Sequence, residues 1–143
     1  MRYAWQLLEE KKRPVITISP DDSALRAAQL MNDAHVGALV VTRGDDVVGI
    51  LSERDVLRRL VVPRLDPAST PVRAIMTCPV ITCSSDTPLD DIRALVRNRR
   101  IRHVPVMDDA RLIGMVSIGD LNIVTQRAQA ETILYLEQYM YQA

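Results

Sequence analysis

Short apolar runs alternate with helix-like stretches along the first half of the chain. β-branched apolar runs bounded by turn residues predict strands, and apolar residues that recur at helical spacing predict helices. Turn residues at positions 43–46 indicate a hairpin. The predicted order is a strand at residues 15–18, a helix at 23–34, strands at 38–42 and 47–51, and a helix at 53–62.

The same order of elements returns in the second half. Thr87 and Pro88 there predict a helix start, with threonine as the N-cap and proline in the first helical position. The predicted elements are a strand at residues 80–84, a helix after Pro88, strands at 104–107 and 112–116, and a long final helix from 121 to 139.

Two flanking segments precede the two halves. A short helix is expected to end before Pro14, because proline disfavours helical backbone in the residue before it. Residues 64–69 form a linker, and Thr70-Pro71 is expected to cap a helical turn up to Met76, with Pro71 as the first helical residue. The predicted organisation is an N-terminal flank at 1–14, a first repeat at 15–63, a linker at 64–79, a second repeat at 80–124 and a C-terminal helix at 125–143.

One seven-residue pattern occurs in both halves. The segments 49–55 (GILSERD) and 114–120 (GMVSIGD) share Gly, two apolar residues, Ser, two variable residues and Asp, and they stand 65 residues apart. Residues 15–19 match 80–84 at the same offset. The repeat is longer than a usual solenoid unit. It therefore predicts two similar half-modules, each too small to be stable alone, that pack against each other.

Composition narrows the classes of function. Apolar residues make up 48% of the 143 residues and Phe is absent, so the core must be aliphatic. Eighteen basic residues balance eighteen acidic ones, which removes the case for a general nucleic-acid binder. Cys78 and Cys83 lie far in sequence from His35 and His103, so a zinc-type ligand spacing is missing and no metal is expected.

The same features indicate a cytoplasmic protein with reduced thiols. No apolar run approaches the roughly 18 residues of a membrane span, and no membrane partner is expected. The first residues do not resemble a signal peptide.

Two interpretations of the repeated motif stay open. Ser-x-x-Asp before an apolar run is a capping pattern, in which Ser52 and Ser117 cap helices and Asp55 and Asp120 sit in the first turn. Alternatively, the helix N-terminus binds phosphate and the aspartate accepts hydrogen bonds from a ribose diol. The glycine three residues before each serine would then let the backbone approach a ligand closely.

The two sites are chemically unequal. Arg102 and His103 offer charge for a phosphate in the second site, whereas the equivalent positions in the first half are Gly37 and Ala38. The first site has Arg54 inside its motif. Alternatively, the arginines at 99, 100 and 102 form a solvated helix end, and His103 is a buried, paired core residue.

These residues resemble a known family. The tandem Gly-x-x-Ser-x-x-Asp pattern, the two Val-Ile-Thr openings and the run 101–106 (IRHVPV) are similar to a pair of cystathionine-β-synthase (CBS) domains, the Bateman module of stand-alone bacterial proteins. The resemblance implies an α+β fold. It consists of two β-α-β-β-α half-modules packed sheet to sheet with pseudo-two-fold symmetry, with a short N-terminal and a long C-terminal flanking helix.

The resemblance also implies clefts for adenosine ligands. AMP is the favoured ligand, with ADP, ATP, NAD-type ligands or S-adenosylmethionine as alternatives. Asp55 and Asp120 would bind ribose hydroxyls, and Arg102 and His103 a phosphate. The full predicted set is Ile16, Thr17, Gly37, Ala38, Ile50, Ser52, Arg54, Asp55, Ile81, Thr82, Arg102, His103, Pro105, Met115, Ser117 and Asp120.

The leading function is therefore a non-catalytic sensor module that binds an adenine nucleotide, forms a homodimer and signals to an effector protein of unknown identity. A ligand-free assembly module is one alternative, suggested by the apolar residues and tyrosines of the C-terminal helix. An enzyme using Asp55, Asp120 and His103 as an acid–base set is another. The sequence contains no P-loop and supports no catalytic triad.

Overall fold

The computed structural model describes residues 2–141. Its two halves share the order helix, strand, strand, helix, and the first half has one additional strand at its start. The first half contains β1 (Thr17–Ile18), α2 (Ala24–Ala34), β2 (Ala38–Arg43), β3 (Asp46–Ser52) and α3 (Glu53–Val56), and the second contains α5 (Leu89–Arg99), β4 (His103–Asp108), β5 (Arg111–Ser117) and α6 (Ile118–Tyr141). The flanking helices are α1 (Ala4–Lys11) before the first half and α4 (Val72–Ile75) before the second.

The hairpins of the two halves are copies of each other. β2 pairs antiparallel with β3, and β4 pairs antiparallel with β5. Ala38 stands opposite Ser52 in the first hairpin, and His103 stands opposite Ser117 in the second. Both hairpins have a register shift near the middle of their first strand. The mixed α+β fold with two repeats and a long C-terminal helix is thus confirmed.

The predicted strand at residues 80–84 is wrong. In the first half, β1 runs parallel to β2, and the backbone N–H of Val40 donates to the carbonyl of Ile16. Pro105 occupies the position equivalent to Val40 and has no N–H to donate. The second half therefore keeps only an isolated parallel bridge between Cys83 and Val106.

Pro71 and Pro88 are N-caps with extended backbone, and not first helical residues as predicted. Each pairs with another part of the chain, because Pro71 bridges to Ser23 and Pro88 bridges to Tyr3. Those bridges require an extended conformation at the proline, so each helix begins one residue later.

Two helices also differ from the prediction. The expected helix at 53–62 is α-helical only over Glu53–Val56 and continues as a π-helical segment, Leu57–Val61. The final helix begins at Ile118 and not at residue 121, because Ser117 and Asp120 form its cap. None of the helices within residues 2–141 combines the length and hydropathy that a membrane crossing requires.

Each flanking helix packs into the core of the half that it does not precede: α1 into the second half, and α4 into the first. Ala4 and Leu7 of α1 belong to the core of the second half, around Ile92, Val104 and Val116. Val72 and Ile75 of α4 belong to the core of the first half. Backbone hydrogen bonds fix both placements: Leu89 N–H donates to Arg2, Ala4 N–H to Thr87, Ala24 N–H to Thr70 and Val72 N–H to Asp22.

Side chains of the flanking segments pack directly against the two motif glycines. A Cβ on Gly114 would lie 2.6 Å from Cδ2 of Leu8, and one on Gly49 would lie 2.5 Å from Sδ of Met76. The expectation that these glycines make room for a ligand is therefore wrong, since the space above each one is filled by a flank side chain.

The two sheets face each other across a seam. Leu39 and Val41 of β2 point into the core of the first half, yet Ala38 and Val40, on the opposite face, are also buried. Gly37 stands close to the imidazole of His103 in the other half, since a Cβ built on it would lie 3.6 Å from Nε2. The functional residues gather along this seam.

We expect Gly114→Ala to destabilise the fold by about 1–3 kcal/mol, because the methyl group overpacks against Leu8. Gly37→Ala is the matched control, since its Cβ would meet its nearest neighbours at 3.5 Å and 3.6 Å, which are ordinary contacts. Urea denaturation measures both free energies of unfolding. Equal midpoints for the two variants would contradict the packing role of Gly114.

Candidate functional site

Both motifs form the same cap between a strand and a helix. The hydroxyl of Ser52 accepts a hydrogen bond from Asp55 N–H at 3.2 Å, and Asp55 Oδ2 accepts one from Ser52 N–H at 3.0 Å. Ser117 and Asp120 make the same reciprocal pair at 3.1 and 2.9 Å. The structure therefore contains both caps that the capping interpretation predicts. The cap also holds each carboxylate in a fixed position at the seam.

Asp55 lies in the wall of a cavity between the two halves. Its Oδ1 accepts a hydrogen bond from the hydroxyl of Thr77 at 2.9 Å, and the Arg59 guanidinium lies 4.0 Å away. The cavity has a volume of ≈ 570 Å³. It is lined by Gly37, Ile50, Ser52, Glu53, Arg54, Asp55, Leu57, Arg58, Arg59, Thr77, Arg100, Ile101, Arg102 and His103. We refer to it as the Asp55 cavity.

Arg102 and His103 line the cavity of the first motif, whereas the sequence assigned them to the second site. The start of β4 faces Gly37, just before β2, because the two sheets stack with pseudo-two-fold symmetry. The cavity of the first motif therefore receives basic residues from both halves of the chain: three arginines from its own half, and Arg100 and Arg102 from the other. Ala38, the other residue predicted at this position, is buried at the start of β2.

His103 is held as a neutral imidazole at pH 7. Burial lowers its pKa below the ordinary value, the positive charges of Lys11 and Arg102 lower it further, and Asp120 raises it. Its ring therefore offers a hydrogen bond, while the positive charge of the cavity comes from arginines.

The second motif is already occupied by a side chain of the protein. The ammonium group of Lys11, at the end of α1, donates to Asp120 Oδ2 at 2.8 Å and to the carbonyl of Met115 at 3.0 Å. Burial raises the pKa of the Asp120 carboxyl, but the hydrogen bonds from Lys11 and Ser117 outweigh it and hold the pKa below its usual range. Asp120 is thus an ionised carboxylate with an internal cation in place.

The remaining predicted residues are not among those that line the Asp55 cavity. Thr17 is exposed in β1, and Ile16 packs against the core of the first half. Thr82 lines a separate cavity of ≈ 800 Å³ together with Val47 and Met107. Ile81 is half-buried, Pro105 is buried within β4, and Met115 stands opposite Pro105 in β5.

Sequence reasoning missed four residues that shape the two sites: Lys11, Arg58, Arg59 and Thr77. It considered Arg100 only as part of a solvated helix end, whereas the structure places Arg100 in the lining of the Asp55 cavity. Lys11 and Thr77 lie in the flanks, outside the 65-residue match, and only the fold brings them to the aspartates. Within residues 2–141, no cluster of three or more His, Cys, Asp or Glu side chains is arranged to hold a metal ion.

Comparisons with known proteins agree with this duplicated architecture. The CBS domain family model matches residues 10–62 and 72–124. The CBS domain-containing protein CBSX3, mitochondrial, of Arabidopsis thaliana is 37% identical over 125 residues, which cover 84% of this chain but only 61% of that protein.

Solved structures show the same fold. A putative signal-transduction protein with CBS domains from Burkholderia ambifaria has a TM-score of 0.83 at 35% identity, covering 87% of this chain and 93% of its own. A CBS domain protein from Pyrobaculum aerophilum complexed with AMP has a TM-score of 0.75 at 30% identity, covering 83% of this chain and 89% of its own. On its sequence, its repeated fold and these relatives, the chain belongs to the CBS domain family and carries two CBS domains in tandem.

Proposed function

We propose that the protein is a non-catalytic regulatory module that binds an adenosine nucleotide in the Asp55 cavity. One observation carries the proposal: a fixed serine–aspartate pair from one half faces arginines from the other half across a single cavity. The relative from Pyrobaculum aerophilum, which is complexed with AMP, supports this class of ligand.

The cavity offers a partner for each part of a nucleotide. The Asp55 carboxylate suits the ribose diol, since an ionised oxygen accepts hydrogen bonds strongly. Arg100 and Arg102 suit the phosphate, with the neutral imidazole of His103 as a further hydrogen-bonding group. Ile50 and Ile101 supply apolar surface for the base.

Regulation would follow from the position of this site in the seam. A nucleotide that contacts Asp55 in one half and Arg102 in the other stabilises one relative arrangement of the halves. The ligand state can then be transmitted to an effector protein through the surface of the module. The acid–base alternative has less support, because Asp120, one of its three groups, is already paired with the ammonium group of Lys11 at 2.8 Å.

We also propose that the protein forms a homodimer through α6. Beyond Thr125 the residues of this helix up to Tyr141 are exposed, and Ile133, Leu136 and Met140 place apolar side chains on one face. Ile133 is 57% exposed and Met140 is 73% exposed. A continuous exposed apolar face of this kind is typical of a protein–protein interface. A second copy of α6 would cover this face.

Calorimetry with AMP tests the site. We expect one nucleotide per chain, and Asp55→Asn should weaken binding about tenfold or more because the ribose loses a charged acceptor. Asp120→Asn is the matched control and should bind with unchanged affinity, since Asp120 is paired with Lys11. Absence of heat for the unmodified protein, or equal losses in both variants, would reject the proposed site.

The ion pair between Lys11 and Asp120 predicts that Lys11→Met lowers the free energy of unfolding in a pH-dependent way. Because the folded-state pKa of Asp120 is lowered, its contribution is present above the unfolded pKa of about 3.9 and disappears as pH falls through the folded pKa. We expect a loss of about 1–2 kcal/mol at pH 7 that shrinks as the pH falls below 4. Urea denaturation across this range measures it. Lys12→Met, at the exposed neighbouring residue, is the control, and identical curves for the two variants would contradict the role of this ion pair.

Light scattering coupled to size exclusion tests the dimer. The double change Ile133→Glu and Leu136→Glu places two charges on the proposed apolar contact and should convert the dimer to a monomer. Gln138→Glu adds charge to the same exposed helix outside that face and should leave the dimer intact. A monomeric unmodified protein would exclude this part of the proposal.

A further inference from the structure

A groove runs along α6 beside the start of α5. Its volume is ≈ 570 Å³, and its walls come from Arg2 before α1, from the N-terminal half of α5 and from one face of α6. The α6 residues that line it are Val124, Thr125, Ala128, Gln129, Thr132 and Ile133. From Ala128 onward these residues are exposed, so this wall of the groove is open to solvent. We name it the α6 groove.

The groove face of α6 continues toward the C-terminal end of the helix. Residues three or four positions apart lie on one side of a helix. The face that starts at Thr125 therefore continues through Thr132, Leu136, Tyr139 and Met140. None of these residues is charged. The charged residues of this part of α6 lie on the opposite side by helical spacing, and they are Arg127, Glu131 and Glu137.

The two ends of this face differ in the size of their side chains. The end inside the groove has the short side chains of Thr125, Ala128 and Thr132. The distal end presents Leu136 and Tyr139, each more than half exposed. Helix faces pack closely where large side chains of one helix meet small side chains of the other. A second copy of α6 that runs in the opposite direction provides this match, because its distal end then lies on the groove of the first.

A parallel pair of helices lacks this complementarity. Each residue would then meet its own copy, so that Ala128 faces Ala128 across a gap and Leu136 crowds Leu136. An antiparallel pair with its two-fold axis at Thr132 instead places Leu136 of the second copy over Ala128, and Tyr139 of the second copy over Thr125. Both α6 grooves are then filled.

The wall of the groove that α5 contributes suits an aromatic, uncharged occupant. Arg93 pairs with Asp90 at 2.8 Å and donates to the hydroxyl of Thr125 at 2.9 Å, so its guanidinium is held beside the groove. In the antiparallel pair, Tyr139 of the second copy lies opposite Thr125. Its ring then reaches the face of the Arg93 guanidinium, a contact that arginine and tyrosine side chains commonly make.

We propose that α6 pairs in antiparallel orientation with α6 of a second copy of this chain, so that the distal half of each helix fills the α6 groove of the other copy. This inference rests on the proposed homodimer and refines it, because it names the surface that receives the exposed apolar face and the direction of pairing. Each copy contributes the same groove and the same helix end, so the contact closes after two chains.

Disulfide cross-linking tests the direction of pairing. All variants carry Cys78→Ser because Cys78 is exposed, whereas burial raises the pKa of the Cys83 thiol to about 11 and keeps it unreactive near neutral pH. Ala128→Cys and Leu136→Cys chains, distinguished by tags of different length, are co-expressed and mildly oxidised. We expect a cross-linked pair with one chain of each kind.

Neither variant should cross-link with itself. In the antiparallel pair, the two copies of residue 128 are separated along the helix axis by the eight residues between 128 and 136. That separation is about 12 Å, which exceeds the roughly 7 Å between Cα atoms that a disulfide spans.

A volume swap tests the same contact without oxidation. Ala128→Leu should weaken the dimer about tenfold, because it sets a large side chain against Leu136 of the second copy. Adding Leu136→Ala should restore the dimer, since the combined volume of the pair is then conserved. In a parallel pair, Ala128→Leu would instead fill the gap and strengthen the dimer. Light scattering coupled to size exclusion at a series of protein concentrations measures the dissociation.

Gln138→Cys is the control, because Gln138 is exposed on the charged side of α6 and should cross-link with neither variant. Cross-linking of each variant with itself, or a dimer that Ala128→Leu strengthens, overturns the antiparallel inference and leaves the dimer through α6 standing. A dimer that forms no cross-link at residues 128 and 136 overturns both the pairing and the role of α6. A monomeric protein overturns the homodimer proposal together with this inference.

Discussion

The exchange of flanking helices is the interaction on which the rest of the structure depends. Leu8 packs on Gly114 and Met76 packs on Gly49, so the helix that precedes each repeat closes the core of the other half. A unit of about 50 residues buries too little apolar surface to be stable alone. The exchange adds two buried helix residues to the core of each half. It also links the two halves, so that they stay packed against each other along the seam.

The repeated motif combines a structural role with a chemical one. The serine and the aspartate satisfy each other's backbone N–H groups and start a helix where a strand ends. In the first motif the same hydrogen bonds hold Asp55 in the wall of the cavity at the seam. Capping and ligand binding are therefore compatible interpretations, because a cap that is rigid without a ligand leaves the carboxylate preorganised.

Near-symmetry of the repeats does not produce equivalent sites. A neutral threonine hydroxyl meets Asp55, whereas a lysine ammonium group meets Asp120. Both partners, Lys11 and Thr77, come from the flanking segments and not from the repeated motif. The charge distribution is equally uneven: the chain has no net charge, yet arginines from both halves meet at one end of the seam. Net charge excluded a general nucleic-acid surface but could not reveal a local anion site.

The sequence by itself determined the duplication, the hairpins and the two caps, because these depend on short-range patterns of apolar and turn residues. It also identified Ser52, Asp55, Arg102 and His103 as residues of interest. Only the tertiary structure decided that Arg102 and His103 line the cavity beside the first motif, that Leu8 and Met76 fill the space above the glycines, and that Lys11 pairs with Asp120. These outcomes depend on contacts between residues far apart in the chain, and a linear pattern does not record which face of one half meets the other.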